Sequence, residues 1–469
     1  MKYVFIILSI VILVGCTVKE QIQVDVITPV KEIAVKTDEN LTLEEVSVKV
    51  PKKVIQISDL INIPQDVTQY SQHISKNAVF DTTQEKYEKY YFRIWNINDV
   101  PETLNSIKWP FSSFSFGESY GENFQLLEKS FFDYMLENAN FDTYATVNKN
   151  AVTLNNIDIR TFPTIKPLLM DPTLAGEGFP FDYMQNSTIS ANKPIFISHY
   201  SKDREWVYIF SSFASGWVKS DEIVIIDQAY SDLWQKAQQV SIVKEDVPIY
   251  DNNGNFLFKS KIGMMFALIQ ENTDTYTILT VSSYKHSKPL YTKSKISKDI
   301  AKKGILKFNE HNINKIVSEV SKTNYGWGGM YGQRDCSSML RDMYAPFGIW
   351  LPRNSYQQSK VGKVVSLENL SDEEKIKLIK DEAVPFETFL YKKGHIVLYV
   401  GTYNDEIIVF HNTWGIKTKK DDVDGRVVIG KPIFSTLRLG KNQENYDEDS
   451  EILRNLKSMN TFTKHPKED

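Results

Sequence analysis

Apolar residues recur with helical spacing in the last third of the chain. Ile313, Ile316, Val317 and Val320 follow the i, i+3, i+4, i+7 order that places all four on one face of a helix. A glycine-rich stretch, 326–332, interrupts this pattern. The spacing therefore predicts an amphipathic helix that leads into a glycine-rich loop.

Two further helices and three strands are predicted after that loop. A second helix ends at Gly348, because glycine readily adopts the left-handed conformation that closes a helix. Its apolar positions are Met339, Leu340, Met343, Tyr344 and Phe347. A third helix begins at Ser371, where Ser-Asp-Glu-Glu forms a capping box. Strands are expected over 396–400, over 407–410 and near 426–429. We expect a mixed α+β domain over 304–440 and a charged, mobile tail over 441–469.

Short apolar runs separated by turns replace the helical pattern between residues 151 and 303. The predicted strands are 194–198, 206–213, 216–218, 223–226, 247–250, 256–260 and 276–281. Asn253-Gly254 is a favourable hairpin turn. Two small β-barrels in tandem, over 151–226 and 227–303, fit this spacing, and one larger β-sandwich is the alternative.

The first third of the chain has a weaker pattern. Residues 56–150 mix helix and loop features and predict a small helical domain. Its clearest helical run is Phe131, Phe132, Met135, Leu136 and Ala139. Residues 17–55 are rich in Val, Lys, Glu and Thr and contain no aromatic residue, which predicts an extended tether.

The chain begins with a short apolar run, 3–14, which is too short for a comfortable transmembrane helix. It ends in Leu13–Cys16, a tetrapeptide that resembles a lipobox, in which Cys16 is lipidated. Segment 1–16 is then a lipoprotein signal, and an ordinary secretory signal with a chance cysteine is the alternative. We expect a cell-envelope protein that is held to the membrane by lipid alone. In an organism with two membranes, Thr17 favours the outer membrane, with the protein facing the periplasm.

Composition excludes several function classes. A length of 469 residues predicts several domains, and 42% hydrophobic with 24% charged residues is typical of soluble globular proteins. The net charge of −4 gives no support for nucleic-acid binding. The sequence has no HExxH, CxxC, GxxxxGK[ST], GxGxxG or GxSxG motif, so we expect neither a metal nor an organic cofactor.

Cys336 is the one cysteine outside the predicted signal segment. Asp335 is a good N-cap, which would make Cys336 the first residue of the second helix. A thiol ionises more readily at a helix N-terminus, and the free N–H groups there can hold an oxyanion. The negative charge of Asp335 would oppose the thiolate. A buried structural cysteine is the alternative interpretation.

Two histidines follow on a predicted hairpin. His395 begins one strand and His411 ends the next. With a three-residue loop near 403–405, His411 lies opposite Val397 and on the same face as His395. A loop of two or four residues would place the two histidines on different faces.

Five stretches now resemble the NlpC-type cysteine peptidases of bacterial cell-wall turnover. They are YGWGG at 325–329, RDCSS at 334–338, FGIWLPRNS at 347–355, GHI at 394–396 and HN at 411–412. The family has a reduced papain-like fold, a helix packed on an antiparallel sheet. The resemblance implies that Cys336 is the nucleophile, His395 the base and His411 the residue that orients the base.

Upstream stretches resemble known companions of these peptidases. Residues 160–164, 176–183, 198–203 and 216–218 are similar to the first of two bacterial SH3-like domains, and 120–123 to a helical clip domain. The expected architecture is thus a multidomain α+β chain with a clip domain, two SH3-like barrels and a papain-like catalytic domain.

The resemblance also implies a reaction. These peptidases hydrolyse peptidoglycan stem peptides, often between the γ-carboxyl of D-glutamate and a diamino acid. The residues that match the stem-peptide site are Tyr325, Asp335, Ser337 and Ser355, with Asp335 facing the free amine of an N-terminal L-alanine. Ser338 stands where the family usually has glycine, from which we expect local crowding.

Cys336, His395 and His411 together predict acyl transfer through a thioester without a cofactor. One alternative is a wall-binding lipoprotein whose catalytic domain is inactive. Others are an amidase or a DD-endopeptidase of the same fold. The stem peptide is the expected partner in each enzymatic case.

Overall fold

The computed structural model describes residues 57–75, 83–284 and 288–463. The predicted signal segment and tether, including Cys16, lie outside the described residues. Within the described ranges, no helix combines the length and the apolar character needed to cross a membrane.

The described residues of the N-terminal helical part form five short α-helices and several 3₁₀ turns. The α-helices are α1 Ser58–Asn62, α2 Gln84–Tyr91, α3 Leu104–Ile107, α4 Trp109–Ser113 and α5 Lys129–Asn138. The expectation of a helical region is confirmed. Met135 and Ala139 are buried at one face of α5, but Leu136, predicted on the same face, is 49% exposed. The apolar stripe is narrower than predicted because Leu136 lies about 100° around the helix from Met135.

The first β unit is one antiparallel sheet. Its strands are β1 Lys149–Thr153, β2 Ile157–Arg160, β3 Gln185–Ile189, β4 Pro194–Tyr200, β5 Trp206–Ser211, β6 Ser215–Lys219 and β7 Ile223–Ile225. Their order in the sheet is β3-β2-β6-β5-β4-β1-β7. Branched aliphatic residues from most of these strands, such as Ile159, Ile197 and Ile209, fill its interior.

The second β unit has its own sheets. It comprises α6 Gln228–Lys236, β8 Gln239–Ile242, β9 Pro248–Tyr250, β10 Phe256–Lys259, β11 Met265–Glu271, β12 Thr275–Tyr284, β13 Lys288–Ser297 and β14 Ala301–Lys303. Five strands form the order β13-β12-β11-β8-β14, and β9 pairs with β10 across the predicted Asn253-Gly254 turn. Within the described residues the two units share no sheet, which fits two β units in tandem.

The C-terminal part packs helices on a six-stranded antiparallel sheet. Its elements are α7 Glu310–Val320, α8 Cys336–Tyr344, α9 Ser355–Gln358, β15 Lys363–Ser366, α10 Asp372–Glu382, β16 Thr388–Lys392, β17 His395–Tyr403, β18 Glu406–Lys420, β19 Val423–Thr436, α11 Ile452–Asn455 and β20 Leu456–Thr461. The sheet order is β15-β20-β16-β17-β18-β19. Helix α8 packs against β17 and β18, and the four apolar positions predicted for α7 are buried in the same core.

The segment expected as a mobile tail is part of this sheet. Strand β20 pairs with both β15 and β16, and Met459 lies opposite Val365 on one side and Leu390 on the other. Leu456 and Met459 are buried, which supplies the apolar contact that a charged tail would lack. The prediction for 441–469 is therefore wrong as far as residue 463, where the described chain ends.

The start of the described chain is fastened to the same part. The buried carboxylate of Asp59 accepts hydrogen bonds from the backbone N–H of Thr436 at 2.9 Å and of Gly440 at 3.1 Å. The ring of Tyr70 stacks on Phe434, with centroids 4.8 Å apart. Residues 57–75 thus help to close the core beneath β18 and β19.

Candidate functional site

The start of α8 is fixed by a reciprocal cap. One oxygen of Asp335 accepts a hydrogen bond from the backbone N–H of Ser338 at 2.8 Å, and the Ser338 hydroxyl accepts one from the N–H of Asp335 at 2.9 Å. Cys336 is therefore the first helical residue, as predicted. Ser338 completes the cap. Its side chain therefore stabilises the start of the helix, whereas we expected it to crowd its neighbours.

Burial controls the acidity of Cys336. The residue is only 7% exposed. Burial and the neighbouring Asp335 raise the pKa of the thiol to about 12, although hydrogen bonds from the backbone of Ile396 and Ser337 act to lower it. The expected lowering by the helix terminus is thus outweighed. The contact with Ile396 places the sulfur beside the residue that follows His395 on β17.

The hairpin that carries the two histidines has a turn one residue shorter than the three-residue loop that would place both on the same face. Strands β17 and β18 are joined by a two-residue turn, 404–405. A β-bulge between Tyr399 and Gly401 shifts the register by one residue and offsets the missing loop residue. The Nε2 atom of His395 and the Nδ1 atom of His411 are 2.8 Å apart. The predicted pairing of the histidines is present, but the bulge produces it.

Ser435 extends the hydrogen-bonded pair of histidines. The hydroxyl of Ser435 on β19 donates to the carbonyl oxygen of Thr436 at 2.9 Å, which uses its one hydrogen. Its oxygen must then accept from Nε2–H of His411, 3.0 Å away. The Nδ1 atom of His411 is left as an acceptor for Nε2–H of His395. This network assigns a bare Nδ1 to His395, and that atom has no hydrogen-bond partner within the described parts of the chain.

Both histidines are neutral at physiological pH. Burial, with a smaller effect of Lys392, lowers the pKa of His395 to about 3. Burial also lowers the pKa of His411, and His395 and Lys392 lower it further. The resting site therefore combines a neutral thiol with a neutral imidazole.

Asp335 is held by an arginine that sequence reasoning did not single out. The Nη2 atom of Arg353 donates to Asp335 at 2.7 Å, and its Nη1 atom donates to the Ser337 hydroxyl at 3.1 Å. Burial acts to raise the pKa of Asp335, but Arg353 and the cap bonds leave it below the usual value. Arg353 also reaches the first β unit, where its Nε donates to Ser187 at 2.7 Å.

Four of the residues predicted to bind substrate line one cleft beside Cys336. The cleft has a volume of about 850 Å³, and Tyr325, Asp335, Ser337 and Ser355 line it together with Cys336. The structure thus brings the predicted substrate residues to one place. Burial raises the pKa of Tyr325 well above its ordinary value, as do Cys336 and Asp335, so its phenol stays protonated.

The other walls of the cleft come from outside the C-terminal part. Arg93, Glu102 and Trp109 reach it from the N-terminal helical part, and Gln185 and Phe213 reach it from the first β unit. The sequence argument had placed substrate contacts in the catalytic domain alone. We therefore add residues of two upstream parts to the candidate site.

Two glycines allow the first β unit to approach closely. Gly328 and Gly329 have positive φ angles of 57° and 94°, and a side chain on either would overlap Gln185 or Thr188. The Thr188 hydroxyl donates to the carbonyl oxygen of Gly329 at 2.6 Å. The glycine-rich loop is thus a docking surface for β3 as well as the lead-in to α8.

Sequence reasoning missed Ser435 and Arg353 for different reasons. Arg353 lies within the FGIWLPRNS stretch, 347–355. A cationic partner for the carboxylate of Asp335 could have been predicted there. Ser435 carried no such indication, because it lies beyond the strand predicted near 426–429. Among the described residues, no group of three histidine, cysteine, aspartate or glutamate side chains is arranged to hold a metal ion.

A solved structure shows the same fold. An NlpC/P60 endopeptidase from Photobacterium damselae subsp. piscicida is 24% identical, covers 86% of this chain and 98% of its own, and superposes with a TM-score of 0.74. An NlpC/P60 family protein from Bacillus cereus is 15% identical over 60% of this chain and 83% of its own, with a TM-score of 0.42. No curated protein matches the chain.

Four family models match successive segments. Residues 5–144 match the N-terminal stabilising domain of NlpC/P60 proteins, and residues 167–219 and 227–272 match SH3 domains of the SH3b1 and SH3b2 types. Residues 322–425, which contain Cys336, His395 and His411, match the NlpC/P60 family itself. The chain therefore carries an NlpC/P60 domain, preceded by two SH3 domains and by the N-terminal stabilising domain of that family.

Proposed function

We propose that this chain is a cysteine endopeptidase that cuts peptidoglycan stem peptides between the γ-carboxyl of D-glutamate and the following diamino acid. The NlpC/P60 match supports a cell-wall peptidase at the coarser level. The observation that carries the proposal is the hydrogen-bonded set of His395, His411 and Ser435 on the strands beside Cys336, which itself lines a cleft large enough for a peptide.

The mechanism starts from neutral groups. As the sulfur of Cys336 attacks the γ-glutamyl carbonyl, Nδ1 of His395 takes the thiol proton. The backbone N–H groups at the start of α8 hold the oxyanion that forms. His411 accepts from Nε2–H of the resulting imidazolium and keeps the ring in place, while Ser435 keeps His411 in the matching tautomer.

The tetrahedral intermediate then collapses. The C–N bond breaks, His395 gives its proton to the leaving amine, and a thioester to Cys336 remains. Water attacks the thioester as His395 takes one of its protons, and that proton returns to the departing sulfur. The products are a free γ-carboxyl and a free amine, and the thiol and imidazole are restored.

Asp335 gives the site a preference for one end of the stem. Its carboxylate already pairs with Arg353, and it borders the cleft next to the nucleophile. A free L-alanine amine placed there would be a second cation on the same carboxylate. We propose that Tyr325, Ser337 and Ser355 position the residues between this amine and the bond that is cut.

The N-terminal segment supports a location for this activity. We propose that Cys16 is lipidated and anchors the enzyme in the cell envelope, in the outer membrane facing the periplasm if the organism has two membranes. The pattern Leu13–Cys16 carries this proposal.

The nucleophile is tested by Cys336→Ala. We expect the variant to fold with an unchanged melting temperature and to release no muropeptide fragments. Mass spectrometry of purified muropeptides after digestion with the native chain names the bond. Products cut between the glycan and L-alanine, or at the crosslink, would replace our assignment by an amidase or a DD-endopeptidase. Wild-type hydrolysis by the alanine variant would exclude the mechanism.

The pKa values predict an unusual pH dependence. Because the pKa of the thiol is raised to about 12, iodoacetamide should label Cys336 more slowly at neutral pH than it labels a free cysteine peptide. Because the pKa of His395 is lowered to about 3, the base stays neutral as the solution is acidified, and kcat/KM should persist below about pH 5. Peptide mapping separates this label from any on Cys16. Labelling that is fast and constant below neutral pH would show a preformed thiolate–imidazolium pair instead.

The amine preference is tested with Asp335→Asn. Asparagine also caps a helix, but it cannot replace a charge-assisted hydrogen bond, so we expect a loss of roughly 1.5–3 kcal/mol, or about 10- to 150-fold in kcat/KM. Acetylating the L-alanine should impair the native chain and add little to the variant. Because the variant also loses the pair with Arg353, the comparison is a cycle of two enzymes and two substrates, with melting temperatures as the control. Additive losses would show that Asp335 does not contact the amine.

Lipidation is tested with Cys16→Ala. The native chain should fractionate with membranes, and the variant should be released into the envelope or keep its signal segment. Unchanged fractionation with normal removal of the segment would favour an ordinary secretory signal.

A further inference from the structure

A second cavity lies where all parts of the molecule meet. It has a volume of about 70 Å³ and shares only Phe213 with the catalytic cleft. Tyr91 lines it from α2, Lys193 from the first β unit and Lys261 from the second. The C-terminal part supplies Arg334, Arg341 and Asp342. No step of the proposed reaction uses this cavity.

Positive charge dominates the lining. Four basic side chains and one carboxylate face the cavity. Both oxygens of that carboxylate, Asp342, are already occupied, one by Arg341 at 2.7 Å and the other by Arg334 at 2.8 Å. Lys261 is paired with Glu245 and Asp246. These pairs leave one basic group, Lys193, without a counter-charge.

Lys193 is buried without a polar partner. It is 7% exposed, and its ammonium makes no hydrogen bond or ion pair with the residues that the structure describes. The ammonium lies 3.4 Å above the ring centroid of Tyr91 and 6.0 Å from that of Phe213. The guanidinium of Arg341 stacks on the same Phe213 ring at 3.8 Å. Two cations thus flank one ring at the edge of the cavity.

The two arginines add positive charge beside Lys193. Nη1 of Arg334 and Nη1 of Arg341 are buried and have no acceptor among the described residues. These two nitrogens expose almost no surface, even to a space that could hold a water molecule, so they do not border the cavity directly. The charge of the two guanidiniums still acts on the cavity, because charges in a buried site are only weakly screened. A small anion in contact with the Lys193 ammonium would balance this charge.

We propose that this cavity binds a small oxyanion, a carboxylate or a phosphate-like group, against Lys193 and beside Arg334 and Arg341. Its oxygens would accept from the lysine ammonium, and the two guanidiniums would attract it at longer range. The bound anion would lie where α2, the two β units and the C-terminal part line one cavity. This inference does not depend on the proposed peptidase activity.

Proton linkage gives the site a pH signature. Burial lowers the pKa of Lys193 well below its ordinary value, Arg341 lowers it further, and Asp342 acts in the opposite direction. The other titratable groups around the cavity are Tyr87, Tyr91, Lys261 and Arg334. An anion favours the charged amine, so binding raises the pKa of Lys193 and takes up a proton. Affinity should therefore fall as the pH rises.

The test is calorimetric titration of the full chain with sodium sulfate, whose charge is constant over this range. We expect saturable binding that is tighter at about pH 6 than at about pH 8, at fixed ionic strength in cationic buffers. Lys193→Met should weaken it at least about 10-fold. Lys295→Met, which removes an exposed lysine on β13, is the matched control and should bind as the native chain does. Sodium acetate and sodium phosphate in place of sulfate distinguish a carboxylate from a phosphate-like ligand.

Melting temperatures with and without sulfate provide a second test of the proposal. Without sulfate, Lys193→Met should melt no lower than the native chain, because it removes an unpaired buried cation. Sulfate should raise the melting temperature of the native chain and of Lys295→Met but not that of Lys193→Met. If Lys193→Met does not fold, Lys193→Gln is tested in the same way. Absence of sulfate binding by the native chain, or equal binding by the Lys193 and Lys295 variants, would overturn the proposal and indicate a water-filled cavity.

Discussion

The partly buried carboxylate of Asp335 connects the structural features on which the site depends. One oxygen caps α8 and so places Cys336 at its first position, and the other pairs with Arg353, which reaches Ser187 in the first β unit. A largely buried charge that lost either partner would be costly, so one group holds both Cys336 and the opposite wall of the cleft. The negative charge of Asp335 also disfavours a thiolate at Cys336. The proposed reaction therefore needs a base that is ready to accept the thiol proton, and the hydrogen bonds to His411 and Ser435 fix the tautomer of His395 for that role.

Three parts of the chain together form the walls of the cleft. Residues from the N-terminal helical part and from the first β unit complete walls that the C-terminal part leaves open. The close approach at Gly328 and Gly329 holds the first β unit against the glycine-rich loop. The packing of separate domains thus shapes the cleft, and a change at their contacts alters its walls without touching Cys336.

Local patterns in the sequence predicted local structure. The helical spacing of α7 and the cap of α8 involve residues within a few positions of one another, and both are confirmed. The relation of His395 to His411 depends on a bulge that no sequence pattern indicated, so the condition stated for the loop length was wrong although the two rings do meet. Ser435 and β20 are set by pairing across the sheet, which a single sequence does not reveal.

The position of the last described strand affects when the sheet can fold during synthesis. Strand β20 lies between β15 and β16, and β16 in turn supports β17, which begins with His395. The edge of β16 therefore stays unpaired until β20 has been synthesised. A chain built in this order cannot complete this sheet before that strand is made, and a product that stops short of β20 lacks the strand that joins β15 to the other four strands of the sheet.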